Sequence, residues 1–330
     1  MILAGDIGGT STRLGLFKGD VNRLEPVRMK TFRSRDYKGL GAIVTEFLAA
    51  DSPKIPAACF GIAGPVRHGK VAGPNLAWEV HDQAVAQELN LANVTLINDL
   101  EANAYGITAL KPEDLVTLQA GEPGAQGNCA VISVGTGLGE AGMYWNGKTH
   151  LPFACEGGHA DFAPRDEIES DLLVYLRGKF GRVSYERVLS GNGQLLLYEF
   201  LRDVKGRRET PSVVEQMRSD NPSAVITRAG LAGTCDLCVD ALNWYVSLYG
   251  AEAGNLALKM MAAGGVYIGG GIAPKIIRKL EEHTFLISFL AKGRMQPLLE
   301  AIPVRVIMND KTALLGAARV AQMKAGESMN

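Results

Sequence analysis

The chain is 330 residues long, 47% apolar and 21% charged, which excludes a disordered polymer and leaves room for more than one core. Its 34 lysines and arginines face 35 aspartates and glutamates, a formal charge of -1, so no broad basic field for nucleic acid follows. Five cysteines, an odd number in a chain this large, do not read as a disulfide framework. A reducing, cytoplasmic setting is expected. Asp6 interrupts the apolar start too early for a signal-peptide core, and no stretch suits a spanning helix, so no membrane partner is expected.

Strand patterns come first, over residues 1–4, 13–17 and 27–32. A helical period over 40–49 then places Leu40, Ile43, Val44, Phe47 and Leu48 on one side. Residues 57–63 read as a buried strand ending at Gly64-Pro65. Residues 94–97 form another, with Asn98-Asp99 at its end; 100–110 then read as a helix for which Asp99 suits the N-cap or first turn. This block is expected to be three meandering strands followed by alternating helices and strands. The second block opens with strands at 130–134 and 141–145. Helices are predicted over 167–180, 194–201 and 223–231, then a long one over about 235–261. A strand at 266–268 runs into Gly269-Gly270-Gly271, with Pro274 suited to the first turn of a new helix. A strand at 304–307 and a helix at 311–323 close the pattern.

The two blocks open alike. Ile2-Leu3-Ala4 runs into Gly5-Asp6-Ile7-Gly8-Gly9-Thr10, and Ala130-Val131-Ile132-Ser133-Val134 into Gly135-Thr136-Gly137-Leu138-Gly139, each followed by a second strand. Glycines let backbone N–H groups approach an anion and threonine adds a hydroxyl, so the pair is expected to hold the phosphates of one nucleotide. The run Gly269-Gly270-Gly271 has no evident packing role in the sequence and suits close approach to an adenine or ribose. Asp6 suits orientation of Mg²⁺ or a metal-bound water, an Asx-turn being the structural alternative. Asp99, at the carboxyl end of a buried strand, stands where open α/β sheets bind ligands. It is placed to take a proton from a hydroxyl that attacks phosphorus; the plain alternative is a helix cap.

Glu156-Gly157-Gly158-His159 has the spacing of a metal half-site, but its glycines disfavour the helix this needs, and no second Glu-x-x-His exists. A loop presenting both side chains to a polar ligand is expected. Residues 142–149 match the P-loop letters, yet Asn146-Gly147 is a preferred hairpin turn and His150-Leu151-Pro152 leaves no place for a helix, so a hairpin is expected. Cys235-Asp236-Leu237-Cys238 lies in a helical pattern without a matching second pair, and buried thiols are expected rather than zinc.

Taken together, several segments resemble the bacterial glucokinases of the hexokinase/actin-like superfamily, the branch without a zinc motif. They are the two glycine turns, Phe60-Gly61-Ile62-Ala63-Gly64-Pro65, Leu96-Ile97-Asn98-Asp99-Leu100-Glu101-Ala102, Glu156-Gly157-Gly158-His159, Tyr185-Glu186-Arg187-Val188-Leu189-Ser190-Gly191 and Gly269-Gly270-Gly271-Ile272. The resemblance covers nearly the whole chain. It implies an α/β, two-domain actin-like/ribonuclease H-like fold with a cleft between the domains. The smaller domain would be 1–110 plus about 308–330, and the larger about 111–307. It also implies transfer of the ATP γ-phosphoryl group to the 6-hydroxyl of D-glucose, with Mg²⁺, in a homodimer.

By that resemblance Gly5, Asp6, Ile7, Gly8, Gly9, Thr10, Gly135, Thr136 and Gly137 serve the ATP phosphates, and Gly270 and Gly271 border the adenosine. Asp99 is the base. Asn98 holds the sugar, with Gly64 and Pro65 in its binding segment, and Glu156, His159 and Glu186 hydrogen-bond its hydroxyls. Asp6 reaches the metal through water or phosphate. Ser11-Thr12 stand where many relatives have asparagine. Cys155 precedes His159 but no Cys-x-Cys follows, so no structural zinc is expected. The rivals are a kinase for another hexose or amino sugar, one using polyphosphate, an actin- or chaperone-like ATP-operated module, and a sugar-sensing regulator. The neutral charge and the lack of a helix-turn-helix ahead of Met1 disfavour the last.

Overall fold

The computed structural model describes residues 1–21, 23–49, 53–71, 76 and 78–327. It divides into two compact units, Met1–Asp114 with Leu151–Ala154 and Asn309–Asn330, and Leu115–His150 with Cys155–Met308. Each unit is mixed α/β.

In the first unit, β1 (Ile2–Ile7), β2 (Ser11–Asp20) and β3 (Arg23–Arg33) form an antiparallel meander. After α1 (Leu40–Leu48), β4 (Ala58–Ile62) lies parallel to β1. A two-residue pair, β5 (Lys70–Val71) and β6 (Val80–His81), leads through α2 (Asp82–Leu89) to β7 (Val94–Asn98) and α3 (Asp99–Ile107). The sheet order is β3-β2-β1-β4-β7. Alternation along β1 sends Leu3 and Ile7 to one face, against Phe32, Val44, Phe47 and Phe60, and Ile2 and Ala4 to the other. That second face is covered by the C-terminal helix Thr312–Glu327, through Leu314, Ala317, Ala318 and Ala321. Covering both faces explains why β4 is an unbroken apolar run, buried throughout. The C-terminal helix crosses α3 at backbone contact: a Cβ on Gly106 would strike the Thr312 carbonyl, and one on Gly316 the Ala102 carbonyl.

A second sheet contains β8 (Leu115–Gln119), β9 (Cys129–Val134), β10 (Leu138–Trp145), β11 (His150–Cys155), β12 (Gly265–Gly269) and β13 (Val304–Ile307), in the order β11-β10-β9-β12-β13-β8. β9 pairs antiparallel with β10 and parallel with β12, as β1 does with β2 and β4. The repeated sequence pattern is therefore a repeated topology. Between β11 and β12 run α4 (Glu167–Phe180), α5 (Tyr185–Val188), α6 (Gly191–Asp203), α7 (Pro211–Ser219), α8 (Pro222–Ala232) and α9 (Asp236–Met260). Then α10 (Ile277–Leu280), α11 (His283–Leu290) and α12 (Gln296–Ala301) lead to β13. The core helix α9 buries Tyr245, Tyr249 and Leu256, and the Tyr249 hydroxyl donates to the Gly269 carbonyl at 3.3 Å, fixing the end of β12.

Several boundaries differ from the sequence reading. β1 continues through Ile7, so Gly5 and Asp6 lie in the strand and not in the turn. The helix read over 100–110 begins at Asp99 and ends at Ile107. Strands β8 and β11, and helices α5, α7, α11 and α12, had no counterpart in that reading. The P-loop look-alike is β10 followed by a turn in which Asn146 Oδ1 accepts the Lys148 and Thr149 N–H groups, both at 2.9 Å. Cys235 and Cys238 are both buried at the start of α9. Among the described residues, no helix is long and apolar enough to cross a membrane.

Candidate active site

In the first unit, the glycine turn closes where the Gly8 N–H meets the Ser11 carbonyl at 2.9 Å. It is tied down by Ser34, beyond β3: its Oγ donates to the Gly8 carbonyl at 2.7 Å and its N–H to the Thr10 carbonyl at 3.1 Å. Thr12 Oγ1 lies 3.0 Å from the same hydroxyl. Sequence reasoning missed Ser34, because only the β2–β3 register brings it to the turn. Gly9 and Gly8 are partly exposed and Thr10 is exposed, as an anion site requires. Gly5 has another reason to be glycine: a Cβ there would stand 2.6 Å from the Phe60 ring and 2.9 Å from Leu14.

Asp6 follows at the end of β1. Burial raises its carboxyl above the ordinary range; Arg13 pulls it down and Asp310 pushes it up. Arg13 is itself paired with Asp310 at 3.0 Å, two further residues the sequence reading did not single out. Asp6, in β1 just before the Gly8–Thr10 turn, offers one hard carboxylate, which fits Mg²⁺, a cation held through one or two carboxylates plus phosphates. Among the described residues no group of three or more His, Cys, Asp or Glu side chains is gathered to hold a metal ion.

Asn98 and Asp99 stand where β7 becomes α3. Asn98 is 8% exposed and is the N-cap: its Oδ1 accepts from the N–H groups of Leu100 at 2.9 Å and Glu101 at 3.3 Å. Its Nδ2 donates to the Gly64 carbonyl at 3.0 Å, which brings the Gly64-Pro65 segment to the same place. The cap is thus Asn98, and Asp99 occupies the first turn, its Oδ1 held by the Leu100 N–H at 3.0 Å. The structural alternative for Asp99, a helix cap, is taken by its neighbour. Asp99 is half-buried, open enough to meet a ligand.

In the second unit, Gly135 donates to the Gly137 carbonyl at 2.9 Å and accepts from the Gly191 N–H at 2.8 Å, leaving Thr136 exposed at the tip. The triple glycine folds against this turn, since the Ile272 N–H bonds the Val134 carbonyl at 3.2 Å. Here the sequence reading needs correction. Gly270 has a packing role, because at its φ of +86° a Cβ would be driven into the Val134 backbone. Gly271, by contrast, faces open space.

Glu156, His159 and Glu186 converge. His159 Nε2 lies 3.9 Å from Glu156 Oε2, and its Nδ1 lies 4.0 Å from Glu186 Oε1. These separations are too long for direct hydrogen bonds and leave the polar atoms able to take a shared partner. The segment is a single 3₁₀ turn, Gly157–His159, and not an α-helix. Glu186 arrives because Tyr185 N–H bonds the Ala160 carbonyl and Phe162 N–H the Val183 carbonyl, both at 3.0 Å. Its Oε2 also accepts from the Leu138 N–H at 3.0 Å, immediately after the glycine turn. A side chain on Gly137 would meet that oxygen, so the turn and the carboxylate are built as one piece.

Comparison with known proteins identifies the family. The sequence model of the glucokinase family matches residues 3–324. The chain is 44% identical to the glucokinase of Nostoc sp. over 334 aligned residues, covering 96% of this chain and 98% of that one. It is 41% identical to that of Synechocystis sp., covering 96% of each. Among solved structures, glucokinase from an Antarctic psychrotroph superposes with a TM-score of 0.85 at 31% identity, covering 98% of both chains. A ROK-family glucokinase from Streptomyces griseus, in complex with glucose and AMPPNP, shares the fold at a TM-score of 0.63 and 20% identity, covering 98% of this chain and 99% of that one. With a family model matching nearly the whole chain and relatives above 40% identity over 96% of it, the chain belongs to the glucokinase family.

Proposed function

We propose that the protein transfers the γ-phosphoryl group of ATP to the 6-hydroxyl of D-glucose. The observation that carries this is the place of Asp99: Asn98 makes the helix cap, and Asp99 stands half-buried on the fixed first turn at the end of β7. Asp99 takes the proton of the sugar hydroxyl as that oxygen bonds to the γ-phosphorus, the bond to the bridging oxygen breaks, and ADP leaves. Glu156, His159 and Glu186 offer acceptors and a donor matched to several sugar hydroxyls, so a sugar with one hydroxyl misplaced leaves a polar group unpaired. The Gly8–Thr10 and Gly135–Gly137 turns, through N–H groups other than those of Gly8 and Gly135 and through the Thr10 and Thr136 hydroxyls, receive phosphate oxygens. Asp6 would hold Mg²⁺ through water or phosphate, and when bound that ion offsets charge on the phosphates.

This reading includes a homodimer in a cytoplasmic setting. A coupled assay of ATP turnover across glucose, mannose, fructose and N-acetylglucosamine tests the substrate. Glucose is expected to give the highest kcat/KM. ATP hydrolysis indifferent to every sugar would instead favour an ATP-operated binding module.

A further inference from the structure

Behind the Glu156–His159 turn lies a buried carboxyl that the reaction does not use. Glu140, on β10, is 1% exposed. A Cβ on Gly157 would meet Glu140 Oε2 and stand 3.3 Å from Glu140 Cβ, so the turn rests directly on this side chain. The Cys155 thiol, just before the turn, donates to the Glu140 carbonyl at 3.4 Å. On the other side is Glu252 of α9, 0% exposed, which accepts from Asn255 Nδ2 at 2.8 Å and Lys259 Nζ at 3.3 Å.

Among the described residues, Oε1 of Glu140 has no hydrogen-bond partner. A buried oxygen without a donor, beside a carboxylate, is best satisfied by carrying a proton itself and turning it to that carboxylate. Burial first, and then the charge of Glu252, raise the Glu140 carboxyl to about 8 against the opposing pull of Lys259.

We propose that Glu140 in its neutral form is a positioning residue for sugar recognition, supporting the turn that presents Glu156 and His159, and that its ionisation loosens the turn and weakens glucose binding. This rests on the glucose reading of that turn. The groups facing Glu140 are Glu252 and Lys259 from α9 and Cys155 from the end of β11. Glu156 faces Cys155, while Tyr185 of α5 and Lys292 beyond α11 face Glu252. Lys292 is lowered to about 8, by burial first, so it titrates in the same range and the test must separate the two. Above that range the proton leaves for solvent, and two like charges share one dry site under Gly157.

If only the protonated form binds, the apparent constant for glucose rises about twofold at pH 8 and about tenfold at pH 9. The experiment is glucose KM, ATP KM and kcat between pH 6.5 and 9.5 for wild type, E140Q and E252Q. Wild type is expected to lose glucose affinity toward pH 9 with ATP KM steady. E140Q is expected to stay flat, since its amide still donates to Glu252 and develops no charge. E252Q is expected to move the rise to lower pH, because the neighbouring charge that holds the proton is gone. A rise that persists in E140Q, as Lys292 would produce, overturns the proposal, and so does an active wild type with a flat profile. If E140Q does not fold, an unmoved rise in E252Q overturns it. A wild type that phosphorylates no glucose at all overturns the substrate reading beneath it.

Discussion

Replacing Asn98 separates what holds α3 from what binds a sugar. Asn98 makes two cap bonds, to the N–H groups of Leu100 and Glu101, and a third to the Gly64 carbonyl. Removing the cap costs about 1 kcal/mol. Leaving the Gly64 carbonyl short of its donor costs about 1 kcal/mol more. Asn98→Ala is therefore expected to destabilise the fold by about 2 kcal/mol. Asn98→Asp keeps an acceptor at the cap and adds a charge that the helix N-terminus favours by about 0.3–1 kcal/mol, but cannot donate to Gly64. Its loss should be about half or less. Urea unfolding followed by circular dichroism reads the total, and amide exchange over residues 98–107 reads it locally. An Asn98→Ala protein within about 0.5 kcal/mol of wild type, with unchanged exchange in that helix, would refute the reasoning.

Three further outcomes follow from close contacts and from one rejected motif. Gly137→Ala pushes its methyl into Glu186 Oε2, a side chain that can swing away, and sits in the phosphate turn, so glucose and ATP KM should both rise while the thermal midpoint barely moves; an unchanged glucose KM would count against the Glu186 assignment. Gly106→Ala meets the Thr312 carbonyl, which cannot swing, and should cost about 1–3 kcal/mol in urea unfolding. Lys148→Ala should leave ATP KM and kcat unchanged, because Lys148 is an exposed residue of a hairpin turn. A large rise in ATP KM would revive the P-loop reading.

How far the sequence could be read depends on how local each signal is. The two strand–glycine turn–strand units were legible because apolar alternation and glycine placement both lie within about ten residues. The β7–α3 junction was legible for the same reason, since an apolar run meets Asn-Asp at a helix start. Ser34 was not, since it reaches Gly8 and Thr10 only through the sheet register. Strand β8 is half-exposed along its length and β11 carries Pro152, so neither shows the alternation of a strand with one buried face. Helix α11, His-Thr-Phe-Leu-Ile-Ser-Phe-Leu, is rich in β-formers and folds as a helix because Phe285 and Phe289, one turn apart, both bury in the core. The role of Gly270 was hidden because its reason, the Val134 backbone, lies 136 positions away.

The central claim is that Asp99 deprotonates the alcohol that receives phosphate. Asp99→Asn keeps the size of the side chain and an oxygen for the Leu100 N–H, while removing the base. Glucose-dependent ADP formation should fall by about 10²-fold or more. Calorimetric binding of glucose and of ADP, and the thermal midpoint, should stay close to wild type. A folded Asp99→Asn enzyme that turns over glucose near the wild-type rate would contradict the account.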